Sequence, residues 1–493
     1  MFGRRLPQRA KAQVAHRSFS LEPLEPRQLL AGNVTAEVVR GSLLVTGDDA
    51  DNDIVIDQVG LPADQFRITS GADATTINGL AGPLVFTGVT ADLVIRLAAG
   101  NDTLEIADSI VPRDVRIDGG DGDNSVTIDP TTIGRNLRIL NGTGSDSLVL
   151  LDCAVARQAR IDNRDGTSAT SIDNVFVGRS LVIKNRDGAD ALSFEDSIVG
   201  RTALIDNRDG GSATAIDDVF AGQSLVIKNR TGADALAFEN SIVTRTALID
   251  NRDGGSATAI DNVNIGRSLV VRNRTGSDAL ALENALIGRS TVIDGRDGGS
   301  ATAIDGVNIG RALVVKNRAG ADTLTLENAG INRNVTISHG TGGSSTVIDT
   351  AGVGTLLQIK TSAGADAVVL DTLTVGGKTT IYLGADSDTL EIDDSTFSGL
   401  VFIKLGHDAD TMEVEVNGAA VGPVTTFAAP VTIFMNAGDD TVTVGVAGEA
   451  GNSASFQSTI LVDGGQGNDT FDVLANGNTF VVLPVVKNVE TLI

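Results

Sequence analysis

The stretch SLVIKNRDGADALSFEDSIVGRTALIDNRDGGSATAIDDVFAG, residues 180–222, repeats itself at an offset of 22. Ile183 falls on Ile205, Asn185 on Asn207, Asp187 on Asp209 and Gly188 on Gly210. Each copy holds two runs of alternating character, such as Leu181-Val182-Ile183-Lys184 and Leu192-Ser193-Phe194-Glu195. Asn185-Arg186-Asp187-Gly188-Ala189-Asp190 separates them. Period-two runs broken by Gly, Asn and Asp are strands joined by turns.

Working outward, the register does not slip. From Ile95 to Ile403 in steps of 22, all fifteen positions are Ile or Val. A second column, eleven residues further on from Ile106 to Val414, has a large apolar residue at all fifteen. Strands this short bury their apolar face only against neighbours of the same kind. Aligned inward columns therefore mean coils stacked in parallel, about 4.8 Å apart. The expected fold is all-β: a right-handed parallel β-helix (β-solenoid) of 22-residue coils over residues 95–415, roughly 70 Å long. The sequence leaves open whether each coil has two strands or three.

Other columns follow from the same count. Asn141, Asn163, Asn185, Asn207, Asn229, Asn251, Asn273 and Asn317 form a row interrupted only by Gly295. Stacked amides can pass hydrogen bonds from coil to coil. The sequence resembles the parallel β-helices in which such asparagine ladders occur. Beside the first column, Asp162, Lys184, Asp206, Lys228, Asp250, Arg272, Asp294 and Lys316 alternate in sign, which predicts cross-coil Asp–Lys pairs. The real repeat through the middle is thus a 44-residue double coil. A longer acidic row runs from Asp173 and Glu195 to Asp393 and Glu415, and Arg179, Arg201 and their successors six residues on are expected to offset it.

The ends depart from this pattern. Residues 33–94 contain strand-like runs out of register, read as an N-terminal β cap over an edge that would otherwise invite pairing. Residues 416–493 read as irregular C-terminal β coils, interrupted at Pro423 and Pro430. Residues 1–32 read as an unfolded basic leader with six Lys/Arg against two Glu and without the apolar core of an ordinary signal peptide. Within it, Leu24-Glu25-Pro26-Arg27-Gln28-Leu29-Leu30 resembles the LEPR-x-LL segment near the start of many large exported bacterial proteins. That resemblance implies export or surface sorting, hence a secreted or cell-surface location.

The composition narrows the partners. A formal charge of -25 argues against nucleic acid and anionic membranes. No apolar run is long enough to span a membrane. Cell-surface or extracellular matrix components remain the expected class. Cys153, the one cysteine, shares a column with Val175, Ser197 and Val219 and reads as a packed residue. The acidic excess gathers at 337–493, with nineteen Asp/Glu against four Lys/Arg.

That end also carries the candidate chemistry. Gly464-Gly465-Gln466-Gly467-Asn468-Asp469-Thr470-Phe471-Asp472 resembles the calcium-binding nonapeptide of hemolysin-type (RTX) repeats at every defined position. Looser relatives are Gly384-Ala385-Asp386-Ser387-Asp388 and Asn436-Ala437-Gly438-Asp439-Asp440. The resemblance implies calcium, a hard cation that takes six to eight oxygen ligands. In that family the nonapeptides follow one another directly, whereas here one turn occurs per 22-residue coil. Through the middle, the Asp position alternates with Ser: Ser168, Asp190, Ser212, Asp234. An Asp accepting a Ser hydroxyl needs no metal. Acids follow consecutively only at Asp366, Asp388, Asp410, Asp440 and Asp469, so these, with Gly464, Gly465 and Gly467, are the candidate calcium residues.

Nothing points to catalysis. Polysaccharide lyases and hydrolases built as β-helices need a groove unlike its neighbouring coils, and the coils at 161–336 are near copies. Outward aromatics are expected only at Tyr382. His16, His339 and His407 are scattered and read as solvated turn residues. The expected function is a noncatalytic structural or adhesion-type repeat protein. The alternatives are a calcium-dependent hemolysin-type repeat protein, separated by its melting in chelator, and a β-helical polysaccharide enzyme, separated by activity on acidic glycans.

Overall fold

A computed structural model describes residues 32–72, 75–416, 423–447, 452–473 and 477–493. The LEPR-x-LL segment and His16 lie outside them. The chain is an all-β parallel solenoid of about 18 turns, a rod on the order of 85 Å at ~4.8 Å per turn.

Each regular coil has three strands, which resolves the count that the sequence left open. In one coil they are Ser180–Asp187, Ala191–Glu195 and Ile198–Val199. Each pairs in parallel with its image 22 residues on: Ile183 on Ile205, Phe194 on Ile216, Val199 on Ala221. The strands therefore make three faces, called first, second and third in chain order. The third strand has only two residues, too few for an alternating signal to reveal.

The core is the stack of inward columns. Ile161, Ile183, Ile205 and Ile227 from the first face meet Ile172, Phe194, Ile216 and Phe238 from the second, all at most 1% exposed. Each such side chain contributes roughly 1.5–3 kcal/mol on burial. Cys153 belongs to this core, its thiol directed at the carbonyls of Ile128 and Leu151 and pushed up to about 11 by burial.

Toward the C-terminal end the filling becomes aromatic. Phe397, Phe427, Phe456 and Phe480 stack on the third face with ring centroids 5.3, 4.9 and 5.1 Å apart. Parallel pairing persists across the insertions there, with Val401 on Val431 and Val431 on Ile460. The opposite end is closed differently. Asn33–Val39 runs antiparallel to Ser42–Thr46, and Gln65–Ser70 lies antiparallel between Asp53–Asp57 and Leu84–Thr87.

The asparagine row forms a hydrogen-bonded ladder. The Asn141 amide donates to Asn163 Oδ1 at 2.9 Å, and each amide donates to the next as far as Asn273. The spare N–H of Asn163, Asn207 and Asn251 reaches Thr170, Thr214 and Thr258. Those buried Thr occur in every second coil, with Leu192, Leu236 and Leu280 between them. This accounts for one part of the 44-residue period. His339 continues the ladder: its ring lies 3.3 Å from the Asn317 amide and 2.9 Å from Thr346 Oγ1, and it is 1% exposed. The expectation of a solvated His339 is therefore wrong. His407 is exposed.

The charged row is also corrected. Asp162 and Lys184 are register partners, but the ion pairs within 4.0 Å at these Asp come from Arg. Arg160 and Arg186 bracket Asp162 at 2.9 Å each. Arg208 and Arg230 bracket Asp206 at 3.5 and 3.2 Å. Arg has the longer, forked reach, so a diagonal pair 24 residues apart replaces the pair 22 apart. Arg186 and Arg160 hold the Asp162 carboxyl below the usual range against the opposing effect of burial.

Deleting residues 201–244, one double coil, should leave a folded rod about 10 Å shorter in small-angle scattering. Deleting only 201–222 sets Lys184 on Lys228 and Asp190 on Asp234, and should melt lower than the double deletion. Equal melting of the two variants would show that the alternation carries no register information.

Candidate functional site

One turn, between the first and second faces, contains every acid proposed as a calcium ligand. Its backbone is set by glycine. Gly188 has φ +125°, and a Cβ there would sit 2.2 Å from the Gly166 carbonyl oxygen of the coil below. The chain turns so tightly that only a hydrogen fits between layers. Two residues later the side chain points back into the turn and is buried: Asp190, Asp234, Asp278 and Asp322 are 2–4% exposed.

These side chains cap the previous coil. Ser168 N–H donates to Asp190 Oδ1 at 2.9 Å, and Ser212, Ser256 and Ser300 do the same to Asp234, Asp278 and Asp322. The sequence predicted a Ser hydroxyl as donor. The backbone N–H takes that role throughout, joined by the hydroxyl at Ser344, whose Oγ lies 2.6 Å from Asp366 Oδ1. With Ser between them, each buried Asp caps the Ser N–H of the coil before it and no two carboxylates are stacked one coil apart.

At the C-terminal end that relief disappears. Asp366 N–H donates to Asp388, Asp388 to Asp410 and Asp410 to Asp440, each at 2.8 Å. Asp440 N–H continues to Asp469 at 3.1 Å, and Glu490 accepts from Asp469 at 2.8 Å. Five predicted Asp thus stand in one row, 0–2% exposed, each one coil from the next. The Asp388 carboxylate also takes the Gly384 N–H at 3.1 Å. The second oxygens of Asp366, Asp410, Asp440 and Asp469 have no hydrogen-bond partner, a feature shared by Asp102 and Asp322 further up the row. An unpaired buried oxygen is costly.

Burial is the first cause of raised pKa values here, and neighbouring carboxylates add to it. Asp388 and Asp440 are pushed up to about 6 and Asp410 to about 7. Asp190, Asp234 and Asp278, with no acid stacked against them, also reach about 6 through burial.

The predicted glycines have a steric role. A Cβ on Gly464 would lie 2.0 Å from the Asn488 carbonyl oxygen, and on Gly467, at φ +141°, 1.8 Å from that of Gly438. Gly465 at φ +99° is similarly close to Asn436. Two acids not assigned from the sequence join the turn. Asp386 and Asp408 occupy the glycine position with φ +80° and +75°. Their carboxylates take the N–H groups of Gly364 and Asp386 at 2.8 and 3.2 Å. The repeat count alone would have found them, since both stand where thirteen coils have Gly. Two stacked turns therefore hold an inner pair, Asp388 and Asp410, and an exposed outer pair, Asp386 and Asp408. Among the described residues, no three His, Cys, Asp or Glu side chains converge as a metal cluster. The carboxylates form a row, so a cation here would need backbone carbonyls as well.

The long acidic row lies elsewhere, where the second and third faces meet. The expected offset by Arg179 and its successors is not realised as contact. Asp217, Asp261 and Asp305 accept instead from the amides of Asn240, Asn284 and Asn328 at 2.8–2.9 Å. These Asn have φ near +46° and turn the corner. Outward aromatics are also more numerous than expected. Phe176 and Phe220 are 48% and 40% exposed. Phe402 lies between Tyr382 and Phe434 on the first face, 5.6 Å from each ring.

A hollow of about 820 Å³ forms a shallow trough over the second face, lined by alanines from Ala191 to Ala303. It contains no acid, His or Cys side chain.

No family model, curated protein or solved structure matches the chain.

Because the folded-state values are raised, the folded rod binds protons more tightly than the unfolded chain, whose Asp titrate near 4. Stability is then greatest in acid and falls as pH rises from about 4 through about 7, each tenfold gain in proton affinity on folding being worth ~1.4 kcal/mol per group. In chelator, melting temperature should drop between about pH 5 and 8. Asp410→Asn keeps an acceptor for the Asp388 N–H and cannot ionise, so it should flatten that drop. A wild-type profile that rises over this range would refute the assignment.

Proposed function

We propose that this chain is a noncatalytic structural or adhesion-type rod that works outside the cell or on its surface. The observation supporting this reading is that the surface is as periodic as the core. From residue 158 to 287 all three faces keep the same 22-residue register from coil to coil, and a binding partner would meet rows instead of a single cleft. The LEPR-x-LL resemblance supports export. Protease shaving of intact producing cells should release the rod's peptides, and the purified rod should leave acidic and neutral polysaccharides uncleaved. Turnover of an acidic glycan would favour the β-helical enzyme instead.

A second reading rests on the orphaned carboxylate oxygens. We propose that calcium stabilises the C-terminal end, held by Asp366, Asp388, Asp410, Asp440 and Asp469 with carbonyls of the same turns. The second oxygens of Asp366, Asp410, Asp440 and Asp469 are hard, buried and without a hydrogen-bond partner, which fits the ion's donor preference. Calcium would supply charge neutralisation that protons supply in acid. At about pH 7.5, calcium at a hundredfold excess over Kd should add ~2.7 kcal/mol per site, and at about pH 5 much less. Identical melting in calcium and in chelator at the higher pH, or an unchanged calcium response in Asp410→Asn/Asp440→Asn, would remove the ion from this account.

A further inference from the structure

Three rows run side by side along the third face. Its corner with the second face is acidic, carrying Asp173, Glu195, Asp217, Glu239 and Asp261, with Asp196 and Asp218 beside them. Its corner with the first face carries an exposed Arg in every coil from Arg113 to Arg333, except for Gln223. Between them stand Phe176, Ile198, Phe220 and Ile242, in register and 40–48% exposed, then the exposed Asn264, and after it Leu286 at 53%. Among the described residues, the ion pairs within 4.0 Å at the double coils are made by Arg160, Arg186, Arg208, Arg230, Arg252, Arg274 and Arg296, none of them in this row. Ten like charges thus stand in line without a counter-charge in contact, beside large apolar side chains in water.

The surface that would answer this face has an acidic row at the same pitch, displaced by the width of the face, with an apolar row between. The rod's own third face has that pattern in reverse. We propose that two copies of this chain pair through their third faces, side by side and parallel, about a twofold axis along the rod. That axis exchanges the two corners, so each Arg row lies over the partner's acidic row and the apolar rows meet. An antiparallel pair would return each corner to its own side and set acid on acid and Arg on Arg. Such a pair is isologous, and because both rods share one coil spacing, contacts made in one coil recur in the next. Eleven coils by the width of about six extended residues is on the order of 1,000 Å² per rod, the size of a stable interface. A linear polyanion would satisfy the Arg row alone, leaving the apolar row in water and meeting the acids at the far corner.

Sedimentation of the full chain at low ionic strength should show a dimer that dissociates toward 1 M salt, where charges are screened beyond about 3 Å. Arg179, Arg201, Arg245 and Arg267→Glu should be monomeric, as should Glu195, Glu239 and Glu283→Lys, each with an unchanged circular dichroism spectrum because the altered residues are exposed. Mixing the two variants should restore a dimer, since each edge then opposes its complement. With Cys153 buried, Ile493→Cys can be labelled selectively, and parallel pairing predicts strong energy transfer between the two C-terminal ends. A wild-type chain that remains monomeric at low salt overturns the proposal, whether or not it captures polygalacturonate. So does a dimer without transfer between those ends, or a mixture that stays monomeric.

Discussion

Every residue of the regular rod sits about 4.8 Å from its own image, 22 positions along the chain. This enforced contact between equivalent residues selects what each column can hold. Aliphatic side chains gain from meeting copies of themselves, which explains why the inward columns are filled mainly by Ile, Val, Leu, Phe and Ala, with only small hydroxyl side chains such as Thr170 and Ser197 interrupting them. Asn also meets itself well, being donor and acceptor at once. Glycine is required where the neighbouring layer's carbonyl occupies the space of a Cβ. A charged side chain satisfies none of these conditions, and the chain deals with it in other ways.

The commonest solution is alternation. Asp on Lys in the first face, Asp on Ser in the buried turn and Thr on Leu in the core all change every coil, and together they make the double coil the unit. The C-terminal turns abandon this device. There Asp follows Asp, with raised pKa values and oxygens without partners. A structure that only needed to cap backbone N–H groups could have kept Asp in every second coil, as it does from Asp190 to Asp366. Retaining five stacked carboxylates makes this end responsive to whatever neutralises them.

The columns were readable in the sequence because a strict period needs no knowledge of geometry. So were the Asn ladder, the buried Asp row and its alternation with Ser. What escaped were contacts off the straight column. Arg186 reaches Asp162 along a diagonal of 24 residues, invisible to a count of 22. The two-residue third strands gave no alternation to detect. His339 was missed for a different reason: it stands 22 residues after Asn317 and belongs to the ladder, but its residue type suggested solvent. Asp386 and Asp408 likewise sit in the glycine column, where a non-glycine residue adopts a left-handed conformation with its own carboxylate bonded to the backbone below.

The Arg row, like the acidic row across the third face from it, is a like-charged column on the exposed surface that neither alternates in sign nor finds an ion-pair partner among the described residues. Its neighbours show that alternation was available to this fold, since the first face uses it a few residues away. Solvent screens such a row but does not remove the repulsion between groups closer together than a Debye length, about 8 Å at physiological salt. The buried Asp row and the exposed Arg row are therefore the same departure in two settings. Inside the turn, only something as small as a proton or a metal ion can relieve it. On the corner there is room for an extended surface of opposite charge and equal pitch, and a second rod supplies one without any further sequence being specified.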